Sequence, residues 1–160
     1  MMTNNLNSQI AALLNNESDP AQGAEKALTQ ILSDFQSETG TIHWLDAEKQ
    51  LLHLGGQVGL PPQMLEVVKM IPVGKGIAGQ TVAQNKPVTI CNLQTDTSGV
   101  AKPGAKQTGV GGALCVPMYR EGKIIGTLGI GTRQQHEYTP EETRRLQEIA
   151  NLIAARIAAD

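Results

Sequence analysis

The fold is indicated most clearly by one stretch near the C-terminus, ALCVPMYREGKIIGTLGIGT at residues 113–132. Two apolar runs rich in β-branched residues, 113–119 and 123–132, flank the short polar segment 120–122. The glycine at position 122 supplies the positive φ that a tight turn between antiparallel strands needs. The stretch therefore predicts a β-hairpin.

A helix is predicted directly after this hairpin. In the string TPEE at residues 139–142, Thr139 suits the N-cap, Pro140 the first helical position and Glu142 the reciprocal position of a capping box. Apolar residues at helical spacing then give one buried stripe. A second flank, Leu152, Ala155 and Ala159, is more than a lone amphipathic helix needs. We therefore predict a homodimer in which this flank and the N-terminal helix are covered.

The N-terminal half repeats the order of helix and hairpin. Residues 6–14 predict a short helix that breaks before Pro20, and residues 24–35 carry apolar side chains on one helical face. Period-two segments at 41–45 and 50–55 predict a second hairpin. We assign residues 1–20 to an N-terminal helix and link, and residues 21–160 to one domain.

The region between the two hairpins is irregular. Residues 61–68 predict a short amphipathic helix, residues 80–85 another, and residues 88–91 a strand. Residues 92–112 are polar, rich in glycine and without a period. Loops beyond about 12 to 15 residues are uncommon in compact domains unless they are functional. This segment is therefore predicted to be a mobile loop, and its part from Gln94 to Gly112 a lid over a binding pocket.

Composition excludes several classes of function. A chain of 160 residues with 40% hydrophobic content suits one domain, and a net charge of −2 lacks the basic excess of a nucleic-acid-binding protein. No apolar run approaches the roughly 20 residues that span a bilayer. We expect no membrane contact and a cytoplasmic location. Cys91 and Cys115 have neither a disulfide framework nor the spacing of a metal site, so no metal is predicted.

Five strings, in register with this order of elements, resemble the GAF family over about residues 22–158. They are VGKGIAG (73–79), KPVTI (86–90), ALCVPM (113–118), GKIIGTLGI (122–130) and YTPEE (138–142). The resemblance implies an α+β fold with a central antiparallel β-sheet. It also implies N- and C-terminal helices packed on one face of the sheet and a ligand pocket on the other.

The resemblance further implies a sensory domain that binds a small molecule and signals through its terminal helices or a partner protein. The resemblance identifies neither the ligand nor a cofactor. A mostly apolar cleft with a few polar groups is the usual form of such a site. We assign to it Trp44, Ile77, Ala78, Cys91, Thr97, Ser98, Cys115 and Thr127. The glycines at 74–79 either present backbone N–H groups to an anion or only permit the turn and its packing.

Other branches of the family carry out redox chemistry or bind larger cofactors, and each uses characteristic residues. Free methionine sulfoxide reductases use cysteines of the loop before the fourth strand, whereas Cys91 and Cys115 fall in predicted strands. We therefore predict no enzymatic activity and keep the reductase as an alternative. Bilin-binding members carry a His after the attachment cysteine, which neither Cys91 nor Cys115 has, and cyclic-nucleotide-binding members carry a Phe downstream of Asn-Lys, which Asn85-Lys86 lacks. Haem binding needs an axial ligand, and no spacing favours one of His43, His53 and His136. A purely structural dimerisation module is the third possibility.

Overall fold

One antiparallel sheet organises the chain. The computed structural model describes residues 2–16, 19–90 and 111–157. The spatial order of the strands is β3-β2-β1-β6-β5-β4, and every neighbouring pair is antiparallel. The strands are β1 (Thr39–Asp46), β2 (Leu51–Val58), β3 (Met70–Pro72), β4 (Val88–Ile90), β5 (Gly112–Arg120) and β6 (Lys123–Thr132).

The helices are divided between the two faces of this sheet. Three longer helices cover one face: α1 (Met2–Asn16), α2 (Pro20–Phe35) and α5 (Pro140–Ile157). The other face carries a 3-10 turn (Pro62–Met64), α3 (Leu65–Val68) and α4 (Gly76–Gln84). The α+β fold and its terminal helices on one side are as predicted.

The main hydrophobic core lies between the terminal helices and the sheet. All three helices and the three central strands β1, β5 and β6 contribute fully buried side chains. Each such side chain contributes roughly 1.5–3 kcal/mol of burial free energy. Helix α1 contacts both α2 and α5. The terminal helices are therefore part of the folding core. The fully buried side chains include Ile10, Leu28, Ile31, Ile42, Leu114, Leu128, Leu146, Ile149 and Ile153.

The two strongest local predictions are confirmed in atomic detail. Between β5 and β6, Glu121 and Gly122 adopt φ angles of 53° and 82°. At the start of α5, the Thr139 hydroxyl accepts the Glu142 N–H at 3.0 Å, while the Glu142 carboxylate accepts the Thr139 N–H at 2.9 Å. These two hydrogen bonds between Thr139 and Glu142 form a complete capping box.

Three segments differ from the sequence-based expectation or lie beyond it. Strand β3 was not predicted, because three residues ending in a proline give no period-two signal. Helix α4 begins at Gly76 rather than at residue 80, since extended Lys75 already serves as its N-cap. The predicted lid at residues 94–112 lies outside the described residues, apart from Gly111 and Gly112.

Candidate functional site

A cavity of about 210 Å³ lies on the face of the sheet opposite the terminal helices. Its floor is formed by β1, β5 and β6, and its walls by α3, β3 and the first turn of α4. Most of the lining is aliphatic, and Lys75 is its only charged member among the described residues. Val67 and Met70, which also line the cavity, are about half exposed. The arrangement is an apolar pocket that opens to solvent.

The alternation of side chains along the strands decides which residues reach this cavity. On β1, Thr41 and His43 line it, whereas Ile42 belongs to the core beneath the helices. On β6 the lining positions include Gly129 and Gly131. A Cβ atom added at Gly129 would lie 3.2 Å from the Thr41 hydroxyl. Because positions 129 and 131 are glycines, no side chain extends from them into the cavity.

Cys115 contributes a buried thiol to the cavity wall. Burial raises the pKa of this thiol to about 11, although hydrogen bonding to the hydroxyls of Thr81 and Thr127 opposes the shift. The thiol is therefore protonated at neutral pH, and the thiolate is the form that acts as a nucleophile. The Thr127 hydroxyl is itself buried without an oxygen or nitrogen partner, so this weakly bonding thiol is its polar neighbour.

His43 is a polar residue of the cavity floor and is only 2% exposed. Its Nε2 atom lies 2.8 Å from the carbonyl oxygen of Val68. Because that oxygen can only accept, Nε2 carries the proton. Burial lowers the pKa of His43, so the ring is neutral and its Nδ1 atom is an acceptor. Nδ1 has no hydrogen-bond partner in the described part of the chain.

The N-terminus of α4 also faces the cavity. Lys75, Gly76, Ile77 and Ala78 all line it, and no side chain caps the helix. The first turn of a helix presents backbone N–H groups without intrahelical partners, together with the positive end of the helix dipole. This part of the wall favours a negative or electron-rich group.

The structure brings together some of the residues assigned to the site and separates others. Ile77, Ala78 and Cys115 line the cavity. Thr127 lies beside Cys115, beneath the lining. Trp44, a residue predicted to line the pocket, lies instead on the helix side of the sheet, packed against the main core. Three further assigned residues, Cys91, Thr97 and Ser98, lie outside the described residues.

The position of Trp44 follows from the register of β1. Trp44 is two residues from Ile42 and so shares its face, and the register shift between β1 and β2 falls on β2, where Gly55 has no partner. The indole lies against Gly55, at the position that a side chain there would occupy. His43, considered from the sequence only as a haem ligand, is the β1 residue that reaches the cavity.

Comparison with known families agrees with this architecture. The family model of the GAF domain matches residues 17–158. The chain belongs to the GAF domain family. Among solved structures, the GAF domain of an Acinetobacter phosphoenolpyruvate-protein phosphotransferase is similar, with a TM-score of 0.83 and 17% identity. The alignment covers 99% of this chain and 94% of that one. A search of curated protein sequences gave no match.

Enzymes with the GAF fold are also similar to this chain. Free methionine-R-sulfoxide reductase from Neisseria meningitidis aligns over 98% of this chain and 89% of its own, with a TM-score of 0.79 and 18% identity. The reduced Staphylococcus aureus enzyme aligns over 97% and 94%, with a TM-score of 0.75 and 21% identity. The prediction of no enzymatic activity, made from the predicted strand positions of Cys91 and Cys115, is therefore wrong, because several structures with this fold are reductases.

Two further features, membrane-spanning helices and metal-binding clusters, are absent from the part of the chain that the structure describes. No helix within residues 2–16, 19–90 and 111–157 combines the length and the apolar character that crossing a membrane requires. In those same residues, no three His, Cys, Asp or Glu side chains are grouped so as to hold a metal ion.

Proposed function

We propose that this GAF domain is a sensory or regulatory module that binds a small molecule in the cavity between the sheet, α3 and α4. The observation that carries the proposal is the cavity itself, whose floor includes the backbone of Gly129 and Gly131. Its volume of about 210 Å³ lies below the roughly 300 Å³ at which sites for drug-sized ligands begin. The expected ligand is therefore a small metabolite.

The central strands offer a route from the ligand to the terminal helices. On β1, His43 faces the cavity and Ile42 packs in the core with α2 and α5; on β6, Gly129 and Leu128 are divided in the same way. A ligand that favours one position of these strands shifts the population of helix arrangements on the other face. We propose that the signal leaves through these helices, in a homodimer or to a partner protein, in the cytoplasm.

The proposal is tested by blocking the cavity. Gly129→Val adds a β-branched side chain at the cavity floor, in contact with Thr41 and Cys115. Candidate ligands are identified by mass spectrometry of small molecules released from purified protein, or by ligand-observed NMR in a metabolite screen. These ligands should bind the wild-type protein and should not bind Gly129→Val. Lys123→Val places the same side chain at an exposed end of β6 and serves as the control. Equal binding by both variants would reject this cavity as the site.

A methionine sulfoxide reductase-like activity is the second candidate, favoured by one observation. The thiol of Cys115 lies in the cavity wall, in a fold shared with reductases whose structures include substrate complexes. Its raised pKa opposes thiolate chemistry at neutral pH. The test is turnover of free methionine-R-sulfoxide with dithiothreitol as the reductant. Turnover that disappears in Cys115→Ser or Cys91→Ser would establish the activity and assign its thiol.

A further inference from the structure

One polar atom of the cavity floor lacks the partner that its burial demands. Nδ1 of His43 is an acceptor that neither solvent nor any described residue satisfies. Leaving a buried acceptor unpaired costs roughly 1–3 kcal/mol, so such atoms are rare in folded proteins. The other ring nitrogen holds the imidazole in place through Val68. The direction of the unpaired acceptor Nδ1 is therefore fixed.

A second weakly satisfied polar group, the Thr127 hydroxyl, belongs to the residue paired with His43. Thr127 is the direct neighbour of His43 across the β1–β6 pair, and side chains in that relation point to the same face. Its hydroxyl oxygen is also buried without an oxygen or nitrogen partner. A single hydroxyl group placed between them would donate to Nδ1 and accept from Thr127. The Thr127 hydroxyl has only the weakly bonding Cys115 thiol as a partner, so it and Nδ1 of His43 together form a polar subsite at the apolar floor.

We propose that the ligand of this cavity carries a hydroxyl or N–H group that donates a hydrogen bond to Nδ1 of His43, on an apolar body without positive charge. This inference rests on the proposed binding function and names its ligand class. The charge limit follows from the walls. No acidic residue in the described part of the chain lines the cavity, while Lys75 and the N-terminus of α4 disfavour a cation.

Three probes of nearly equal size separate the donor requirement from simple apolar binding. Cyclopentanol has a donor, cyclopentanone has only an acceptor, and cyclopentylamine is a cation at neutral pH. A net hydrogen bond between neutral groups is worth about a factor of ten in affinity. NMR titration should therefore show cyclopentanol binding about tenfold more tightly than cyclopentanone, and cyclopentylamine more weakly than both.

Two substitutions of His43 test which ring nitrogen selects the alcohol. In His43→Gln the amide nitrogen replaces Nε2 and keeps the donor to Val68, but no acceptor remains at Nδ1. This variant should lose the preference for cyclopentanol. In His43→Asn the amide oxygen replaces Nδ1, so the preference should survive while the bond to Val68 is lost. His53→Gln, at an exposed histidine on β2, is the matched control.

A direct readout keeps the proposal testable if a variant fails to fold. In wild type labelled with 15N-histidine, cyclopentanol should shift the Nδ1 resonance of His43 toward its hydrogen-bonded value, whereas cyclopentanone should not. Equal affinity for alcohol and ketone in wild type, or a preference that survives in His43→Gln, overturns the inference and leaves small-molecule binding intact. Undiminished binding of all probes by Gly129→Val removes the cavity as the site, and with it both proposals.

Discussion

Arg145 on α5 forms an ion pair with Asp34 on α2, and its guanidinium carbon lies 4.8 Å from the centre of the Phe35 ring. Both charged side chains are largely buried, with 17% and 14% of their surface exposed. The pair joins two terminal helices at the edge of the main core. In the proposed mechanism these helices carry the signal, so their mutual position matters for function as well as for stability.

Replacing Asp34 by Asn should destabilise the domain, because Arg145 would keep a mostly buried charge without its counter-ion. Exposed pairs are worth about 0–1 kcal/mol, and breaking a fully buried pair costs roughly 3–5 kcal/mol. For this partly buried pair we expect a loss of about 1–3 kcal/mol in urea unfolding. Glu141→Gln breaks the exposed pair with Arg144 and should leave the urea midpoint unchanged. Equal midpoints for the two variants would contradict the prediction.

The capping box at the start of α5 supports a second stability prediction. Thr139→Ala removes the hydroxyl that accepts the Glu142 N–H, and loss of such a cap typically costs about 1 kcal/mol. Thr143→Ala is the control, since the Thr143 hydroxyl only bonds back to the Thr139 carbonyl within the helix. Alanine there should be neutral or slightly stabilising. A Thr143→Ala variant as unstable as Thr139→Ala would show that the cap is not the cause.

The features that could be predicted from sequence are those fixed by neighbouring residues. The Glu121–Gly122 turn and the Thr139–Glu142 box each depend on residues at most three positions apart. The GAF fold follows from several such signals in register. Local chemistry was therefore sufficient for the hairpins and for the element order apart from β3.

The faces of the strands and the polar part of the site depend on contacts distant in sequence. A period of two shows that Trp44 and His43 point to opposite faces, but not which face receives the helices. The bond from His43 to Val68 joins residues 25 positions apart, and Gly129 lies beside Thr41 of another strand. Such pairings have no signal in a single sequence.

The predicted homodimer remains open to test, with a smaller exposed flank than the sequence indicates. Leu152 is partly buried and packs against the main core, Ala155 is exposed, and Ala159 lies outside the described residues. At tens of micromolar, a concentration that reports affinities of moderate strength, light scattering should give twice the chain mass of 17.0 kDa. Ala155→Glu should shift the mass toward the monomer, and Thr29→Glu, exposed on α2, should not. A monomeric wild type would refute the dimer.

The buried thiol of Cys115 predicts a loss of stability at alkaline pH. Burial raises the pKa of the thiol from 9.0 to about 11, so between these values the folded protein holds a proton that the unfolded chain has released. Its contribution to stability is therefore complete below pH 9 and is lost as the pH rises toward 11. By pH 10.5 the loss should reach about 2 kcal/mol, at 1.36 kcal/mol for each pKa unit.

Urea unfolding of two variants between pH 8 and 10.5 isolates this contribution. In a Cys91→Ser background Cys115 is the only thiol, and adding Cys115→Ala removes it. Tyr138, whose pKa burial raises to about 12, also favours unfolding at high pH but remains in both proteins, so it cancels in their difference. The free energy of unfolding should fall more steeply with pH in the variant that keeps Cys115. Parallel curves would mean that the thiol ionises as readily in the folded protein as in the unfolded chain. Cys115 would then be accessible for thiolate chemistry, and the reductase alternative would gain its strongest support.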